Sequence, residues 1–163
     1  MPNPTPSVST PAGNLSEIKL QNVLGYQLAQ ASIVTHILFK RHTGQVLELR
    51  PVEYTLLTLI TENPGGSLAQ LAKALAVTAP NITAWVDRLE QRGLVVREKS
   101  ESDKRTQMLK ATSKGIKLAN IATAQILAHE QSALQSLSAQ EQTTLLSLLH
   151  KVASLRQSVH KKK

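Results

Sequence analysis

Two short amphipathic segments lie almost back to back near the middle of the chain, and they limit the fold more than any other feature. Leu68, Leu71, Ala72 and Leu75 fall at offsets 0, 3, 4 and 7, and Ile82, Trp85, Val86 and Leu89 repeat those offsets. Each set makes one apolar stripe along a helix. Ser67 with Gln70 forms a capping box for the first. Thr78 stands at the N-cap of the second, with Pro80 inside the first turn, where a missing N–H does no harm. Only about three residues, Ala76 to Thr78, separate the two segments. Short helices joined this tightly, each with one face to bury, read as a helix-turn-helix.

Helical patterns flank this pair. Pro2, Pro4, Pro6 and Pro11 among small polar residues predict a tail over residues 1–14. From about Leu15 to Lys40, Leu20, Leu24, Leu28, Ala31, Val34 and Leu38 recur at helical intervals, and His42-Thr43-Gly44 is expected to end the helix. Val23, Ile33 and Ile37 lie off that stripe, so the helix needs a second packing partner, which another subunit would supply. Pro51 opens a further helix that Asn63-Pro64-Gly65-Gly66 stops. Beyond the pair, Gly93 ends a helix, Leu94 to Lys99 is strand-like, Ser100 to Asp103 is a turn, and Thr106 to Ala111 returns as the partner strand. Thr112 caps a fifth long helix through Ile116, Ala119, Thr123, Ile126 and Leu127. Ser138 with Glu141 starts a last one bearing Leu145, Leu148, Leu149, Val152 and Leu155. The expected class is mainly α with a small β-hairpin wing.

Composition narrows the chemistry. Aromatic residues make up 2% of the 163, so the core is built from aliphatic side chains and no stacking platform for single-stranded nucleic acid exists. The net charge of +8 suits a polyanion, although +5 remains once Lys161, Lys162 and Lys163 are set aside. With no cysteine there is no thiol switch or thiolate metal site. The histidines at 36, 42, 129, 150 and 160 show no metal-ligand spacing, so neither metal nor cofactor is expected. No nucleophile-and-base pair or phosphate loop appears, which argues against an enzyme. No apolar run reaches the roughly 18 residues a membrane helix needs, and the N-terminus lacks a secretory pattern. The Lys-rich end is too short for a membrane-surface helix. The expected compartment is the cytoplasm.

On the second helix of the pair, burying Ile82, Trp85, Val86 and Leu89 turns Pro80, Ala84, Asp87 and Gln91 outward, flanked by Asn81, Thr83 and Arg88. Asn and Arg match adenine and guanine edges in a major groove. Thr78 and Ser67, at helix N-termini, are placed to hydrogen-bond phosphates. Asp87 meets a polyanion awkwardly; it is expected either to orient a neighbouring Arg88 or Arg92 or to accept from a cytosine amino group. In the hairpin, Asp103-Lys104-Arg105 follows the turn, with Lys99 and Lys110 on the arms. Arg105 suits a narrow minor groove, with Asp103 bracing its guanidinium. Residues 67–110 carry eight Lys or Arg against five Asp or Glu, so affinity depends on placement and on two copies.

The run Leu75 to Thr83, continuing through Val86-Asp87-Arg88-Leu89-Glu90-Gln91-Arg92-Gly93-Leu94-Val95, resembles the recognition helix and wing entry of the multiple-antibiotic-resistance regulator (MarR) family. Asp103-Lys104-Arg105 and Leu109 to Gly115 are similar to that family's wing and its re-entry into the fifth helix. The resemblance covers roughly residues 20–155. It implies a winged helix-turn-helix with N- and C-terminal dimerisation helices, in an obligate homodimer that straddles a near-palindromic operator in double-stranded DNA. The division then runs 1–14 tail, 15–50 N-terminal dimerisation helix, 51–111 DNA-binding region, 112–160 C-terminal dimerisation helices and 161–163 basic tail. Interlocking falls to about residues 15–42 and 112–160.

It also implies that Thr78, Pro80, Asn81, Thr83, Ala84 and Arg88 lie in the major groove and Arg105 in the minor groove. Ala84 stands where relatives often carry a basic or larger polar side chain. Many relatives are repressors released by a small aromatic acid, bound here among the first two helices and the fifth. A carboxylate needs a cationic or hydrogen-bonding anchor, for which His36, Arg41, His42 and Arg50 are candidates, with Tyr26 or Tyr54 as hydroxyl partners. Asn22 to Leu28 is similar to the first helix of regulators of aromatic-acid catabolism. The alternative is a winged-helix protein-interaction module without DNA binding, which Arg88, Lys104 and Arg105 oppose.

Overall fold

A computed structural model describes residues 9–99 and 107–156. Two compact units are formed, Met1–Ile126 and Leu127–Lys163. In the first, α1 (Leu24–Phe39) runs through a π turn (Lys40–Gly44) into α2 (Gln45–Leu47), and α3 (Pro51–Glu62) follows. Next come β1 (Gly66–Ser67), α4 (Leu68–Leu75), α5 (Ala79–Gln91), β2 (Val95–Lys99) and β3 (Gln107–Ala111). Helix α6 (Ser113–Ala133) crosses from the first unit into the second, which also holds α7 (Ala139–Ser154).

The two stripes read from the sequence do meet. Leu71, Ile82, Val86 and Leu89 are buried, with Leu68, Ala72, Leu75 and Trp85 packed against them. Leu56, Leu57 and Ile60 of α3 and Leu94, Val95 and Leu109 of the sheet close the same core. The turn between α4 and α5 is made by Ala76 in the left-handed region at φ 53°. Gly93, at φ 67°, ends α5 as expected.

The sheet has three antiparallel strands in the order β1-β3-β2. Pairs such as Val95↔Ala111 and Arg97↔Leu109 put Val95, Arg97 and Leu109 on one face. Val96 and Lys110 take the other, where Lys110 Nζ meets Glu98 Oε2 at 2.6 Å. The hairpin was expected; β1 was not. Gly66 and Ser67 pair with Leu109 and Met108, so the segment read as a stop and a cap is also a strand. The tip from Ser100 to Thr106 lies outside the described residues, and with it Asp103, Lys104 and Arg105.

Three expectations at the N-terminal end need correction. Residues 9–14 of the expected tail close into a turn with residues 15 and 16, Ser9 bridged to Ser16 and Thr10 N–H bonded to the Leu15 carbonyl at 2.8 Å. Residues 1–8 lie outside the description. The first helix begins at Leu24 rather than near Leu15, because residues 17–23 form turns in which the Glu17 carboxylate accepts from the Tyr26 hydroxyl at 2.6 Å. Finally, His42-Thr43-Gly44 does not end that helix. The π turn carries it on to Leu47, and the chain leaves at Glu48, a non-glycine at φ 53°. Gly44 serves close approach instead: an added Cβ would lie 3.0 Å from both the Leu49 carbonyl and the Phe39 ring.

Ser138 and Glu141 form their capping box at the start of α7. The isolated chain exposes Leu24, Leu28, Ile33, Val34 and Ile37 on α1. On α7 it exposes Leu145, Leu146, Leu148, Leu149 and Val152. No helix among the described residues is long and apolar enough to cross a membrane.

Candidate nucleic-acid interface

Packing of Ile82, Val86 and Leu89 against α3 and the sheet fixes which face of α5 looks outward. Thr78, Pro80, Asn81, Thr83 and Ala84 are exposed, all in the first half of the helix. Asn81 has no intramolecular side-chain partner among the described residues, so its amide keeps both donor and acceptor. The Thr83 hydroxyl donates to the Ala79 carbonyl at 3.0 Å, which leaves its oxygen lone pairs and methyl group for a ligand. Thr78 has N-cap backbone geometry but its side chain makes no capping bond, so among the described residues that hydroxyl has no partner at the N-terminus. Ser67 differs. Its hydroxyl oxygen accepts from Gln70 N–H at 3.2 Å and its proton goes to Gln70 Oε1 at 3.1 Å, so the group is held within the capping box.

Asp87 and Arg88, the other expected contacts, are both engaged inside the chain. The partner of Asp87 is neither Arg88 nor Arg92. Arg97, on the inner face of β2, reaches back across the core edge and binds Asp87 Oδ1 through Nη2 and Glu90 Oε2 through Nη1. One guanidinium of the wing strand, only 21% exposed, thereby offsets half of the charge of two acidic groups on α5. Arg88 Nη1 stands 3.7 Å from Glu53 Oε1 of α3, where the carboxylate is nearly buried. Its other oxygen, Oε2, accepts from Arg50 N–H at 3.0 Å at the start of α3. Arg92 turns away to the carbonyls of Leu47 and Glu48.

Sequence reasoning missed Arg97. The signal was present as parity: Val95 is buried and alternation puts residue 97 on the same face, where an arginine needs an anion. Asp87 and Glu90, three apart on α5, supply two.

The expected effector anchors are scattered along the N-terminal half. Tyr26 donates to Glu17, and that hydrogen bond raises its pKa above the ordinary phenol value. His36 is exposed on α1, and Arg41 is exposed in the π turn. Tyr54 shares a 3.0 Å hydrogen bond with Thr123 of α6 and packs its ring 6.0 Å from Phe39. Arg50 lines an open cleft of ≈ 430 Å³, shared with Glu48, Glu53, Arg88, Gln91 and Arg92. Tyr26, His36 and Arg41 do not line that cleft.

The fold recurs in known regulators. The model of the MarR family matches residues 49–106, from the start of α3 to the wing. A protein assigned to transcriptional regulation of the hcr operon of Thauera aromatica is 34% identical over 130 residues, covering 79% of this chain and 78% of its own. Among solved structures, the transcriptional repressor CouR, bound to a 23-mer DNA duplex, superposes with a TM-score of 0.77 at 33% identity. The match covers 85% of this chain and 98% of CouR. A transcriptional regulator from Pseudomonas aeruginosa superposes with a TM-score of 0.72 at 29% identity, over 82% of this chain and 98% of that one. With about a third of the residues identical along most of both sequences and the family model matched, the chain belongs to the MarR family of transcriptional regulators.

Proposed function

We propose that this chain is a homodimeric repressor that binds a near-palindromic duplex operator and is released by a small aromatic acid. The observation that carries the reading is the first half of α5. It offers Thr78, Pro80, Asn81, Thr83 and Ala84 as an exposed polar and small-residue face, while Arg97 pairs with both acids beside it. Such a face admits close approach to base edges, with Asn81 suited to adenine and Arg88 to guanine or phosphate. The likeness to a repressor bound to duplex DNA supports the same partner here. Dimerisation follows from the apolar side chains that α1 and α7 leave exposed, which a second copy would cover.

The effector half of the proposal rests on buried polar atoms without partners. Thr43 Oγ1 in the π turn, Thr58 Oγ1 on α3 and Gln125 Oε1 on α6 are buried and make no hydrogen bond among the described residues, and all three lie outside the lining of the Arg50 cleft. An unmet buried polar group costs about 1–3 kcal/mol; an acceptor oxygen would meet the threonine hydroxyls, and an O–H donor from ligand or water would meet Gln125 Oε1. Arg50 is the anchor with the strongest placement, since it lines the cleft beside Arg88. Tyr26, His36 and Arg41 remain part of the proposed set.

The test is binding of purified protein to the promoter fragment beside its own gene at two salt concentrations. Wild type is expected to bind in a salt-sensitive way and far above random DNA. Arg105→Ala should weaken binding about 10-fold, within the range of about 1–3 kcal/mol for a groove-inserted arginine. Asn81→Ala should relax the preference at one adenine position. Wild-type binding no better than to random DNA, at every operator recovered by genome-wide pull-down, would replace the repressor with a protein-interaction module.

A further inference from the structure

We infer that Arg92 is a positioning residue: its guanidinium fastens the C-terminal end of α5 to the C-terminal end of the N-terminal helical segment. The inference rests on the DNA-binding reading for its consequence, though not for its geometry. Helix α2 ends at Leu47, and the left-handed Glu48 turns the chain away. Carbonyls at such an end have no intrahelical donor and carry the negative end of the helix dipole. Arg92 supplies both donors at once. Nη1 reaches the Glu48 carbonyl at 2.7 Å and Nη2 the Leu47 carbonyl at 3.2 Å, across 44 and 45 residues of sequence. A fork of two bonds fixes direction as well as distance, which a lysine ammonium cannot do.

Arg92 is held in turn from the other side. It is the C-cap of α5, with its N–H bonded to the Arg88 carbonyl at 3.2 Å. Its own carbonyl accepts Lys114 Nζ at 2.9 Å from the start of α6, and the next carbonyl, of Gly93, accepts the Thr112 hydroxyl at 2.8 Å. Three helix ends therefore converge on one residue. The open cleft lined by Gly44, Glu48, Arg50, Glu53, Arg88 and Gln91 lies along the same junction. On that side the cleft opens between α5 and the segment that follows α1. The fork spans that cleft and adds two bonds to the core packing of α5 in holding its angle to the dimerising helix. In a dimer the two recognition helices must enter major grooves about 34–36 Å apart, and a small turn of α5 shifts that span. Arg92 thus sets how strictly the dimer reads half-site spacing.

The chain has no cysteine, so spin labels can be placed on the full-length protein through Gln45→Cys on α2 and Ala84→Cys on α5. Labelled chain is diluted into unlabelled protein so that the pair within one chain dominates. With Arg92 present one narrow distance distribution is expected. Arg92→Ala should broaden it at least twofold, and Arg92→Lys should fall between. The thermal midpoint is measured alongside. Operator binding by Arg92→Ala should drop about 10-fold at the natural spacing, with a smaller penalty than wild type for one inserted base pair. Superposable distance distributions for wild type and Arg92→Ala would overturn the inference, whatever the change in affinity. Should Arg92→Ala fail to fold, a wild-type distribution in Arg92→Lys overturns it equally. A wild-type chain that ignores operator DNA would overturn the repressor reading, and the distances would still decide the role of Arg92.

Discussion

Replacing Gly115 by alanine is expected to destabilise the chain by about 3 kcal/mol, at the upper end of what overpacking costs. Helix propensity alone predicts the opposite sign, since alanine in a helix is better than glycine by roughly 0.5–1 kcal/mol. Contact decides the matter. A Cβ on Gly115 would lie 2.0 Å from the Leu94 carbonyl oxygen and 3.2 Å from Leu57 Cδ1. The Leu94 backbone cannot give way cheaply. Its N–H bonds to the Leu89 carbonyl at 2.9 Å, its carbonyl accepts from Thr112 N–H at 3.0 Å, and its side chain is buried in the core. Relief would have to come from moving the start of α6, where Gly115 N–H is held by the Thr112 hydroxyl at 3.0 Å. Gly93→Ala is the control: that residue needs a left-handed backbone, but an added Cβ meets nothing within 4 Å. Its cost should be about 1–2 kcal/mol, from strain alone. Urea unfolding of both variants checks the order. A Gly115→Ala protein as stable as Gly93→Ala would mean that α6 retreats from the sheet without resistance.

What the sequence discloses about this fold follows from how far each interaction reaches. The stripes of α4 and α5 and the capping boxes at Ser67 and Ser138 are local, and their spacing states them directly. The hairpin arms were legible for the same reason. The start of α1 was not, because a continuous apolar pattern through Leu20 and Val23 conceals a turn, closed by backbone bonds from Leu20 and Gln21 to Glu17, whose side chain meets Tyr26 nine residues on. Gly44 looked like a stop because glycine usually is one; here it admits the Phe39 ring. At the interface, the exposed half of α5 follows from the helical wheel, but the strap from Arg97 and the fork from Arg92 depend on tertiary placement. Arg92 is separated from its acceptors by 44 and 45 residues, a distance at which no periodic pattern speaks. The effector anchors were chosen by residue type, and residue type alone cannot say which cations share a cleft.

Arg97→Met is the substitution expected to cost DNA binding most among the described residues, about 100-fold, with little loss of stability. Methionine keeps the apolar stem on the inner face of β2 and removes only the charged fork. The stability change should stay below about 1 kcal/mol, because Asp87 and Glu90 are 43% and 38% exposed and water replaces their partner. Arg97 Nε, buried with no hydrogen bond, is removed as well, which offsets part of the loss. On DNA the same two carboxylates have no such compensation. They would face phosphates from the recognition helix, at repulsions between about 1 and 4 kcal/mol per close pair according to local screening. A net loss near 3 kcal/mol corresponds to about 100-fold in affinity. The repulsive part can be separated from the loss of the strap. Adding Asp87→Asn and Glu90→Gln to Arg97→Met removes the charges without restoring the tie between β2 and α5. Affinity regained in the triple variant measures repulsion, and affinity that stays lost measures the strap. Anisotropy titrations on the operator at low and high salt check this, since the repulsive part alone should shrink as salt rises. Wild-type affinity in Arg97→Met would mean that Asp87 and Glu90 point away from the DNA, and the groove-facing surface of α5 would have to be redrawn without them.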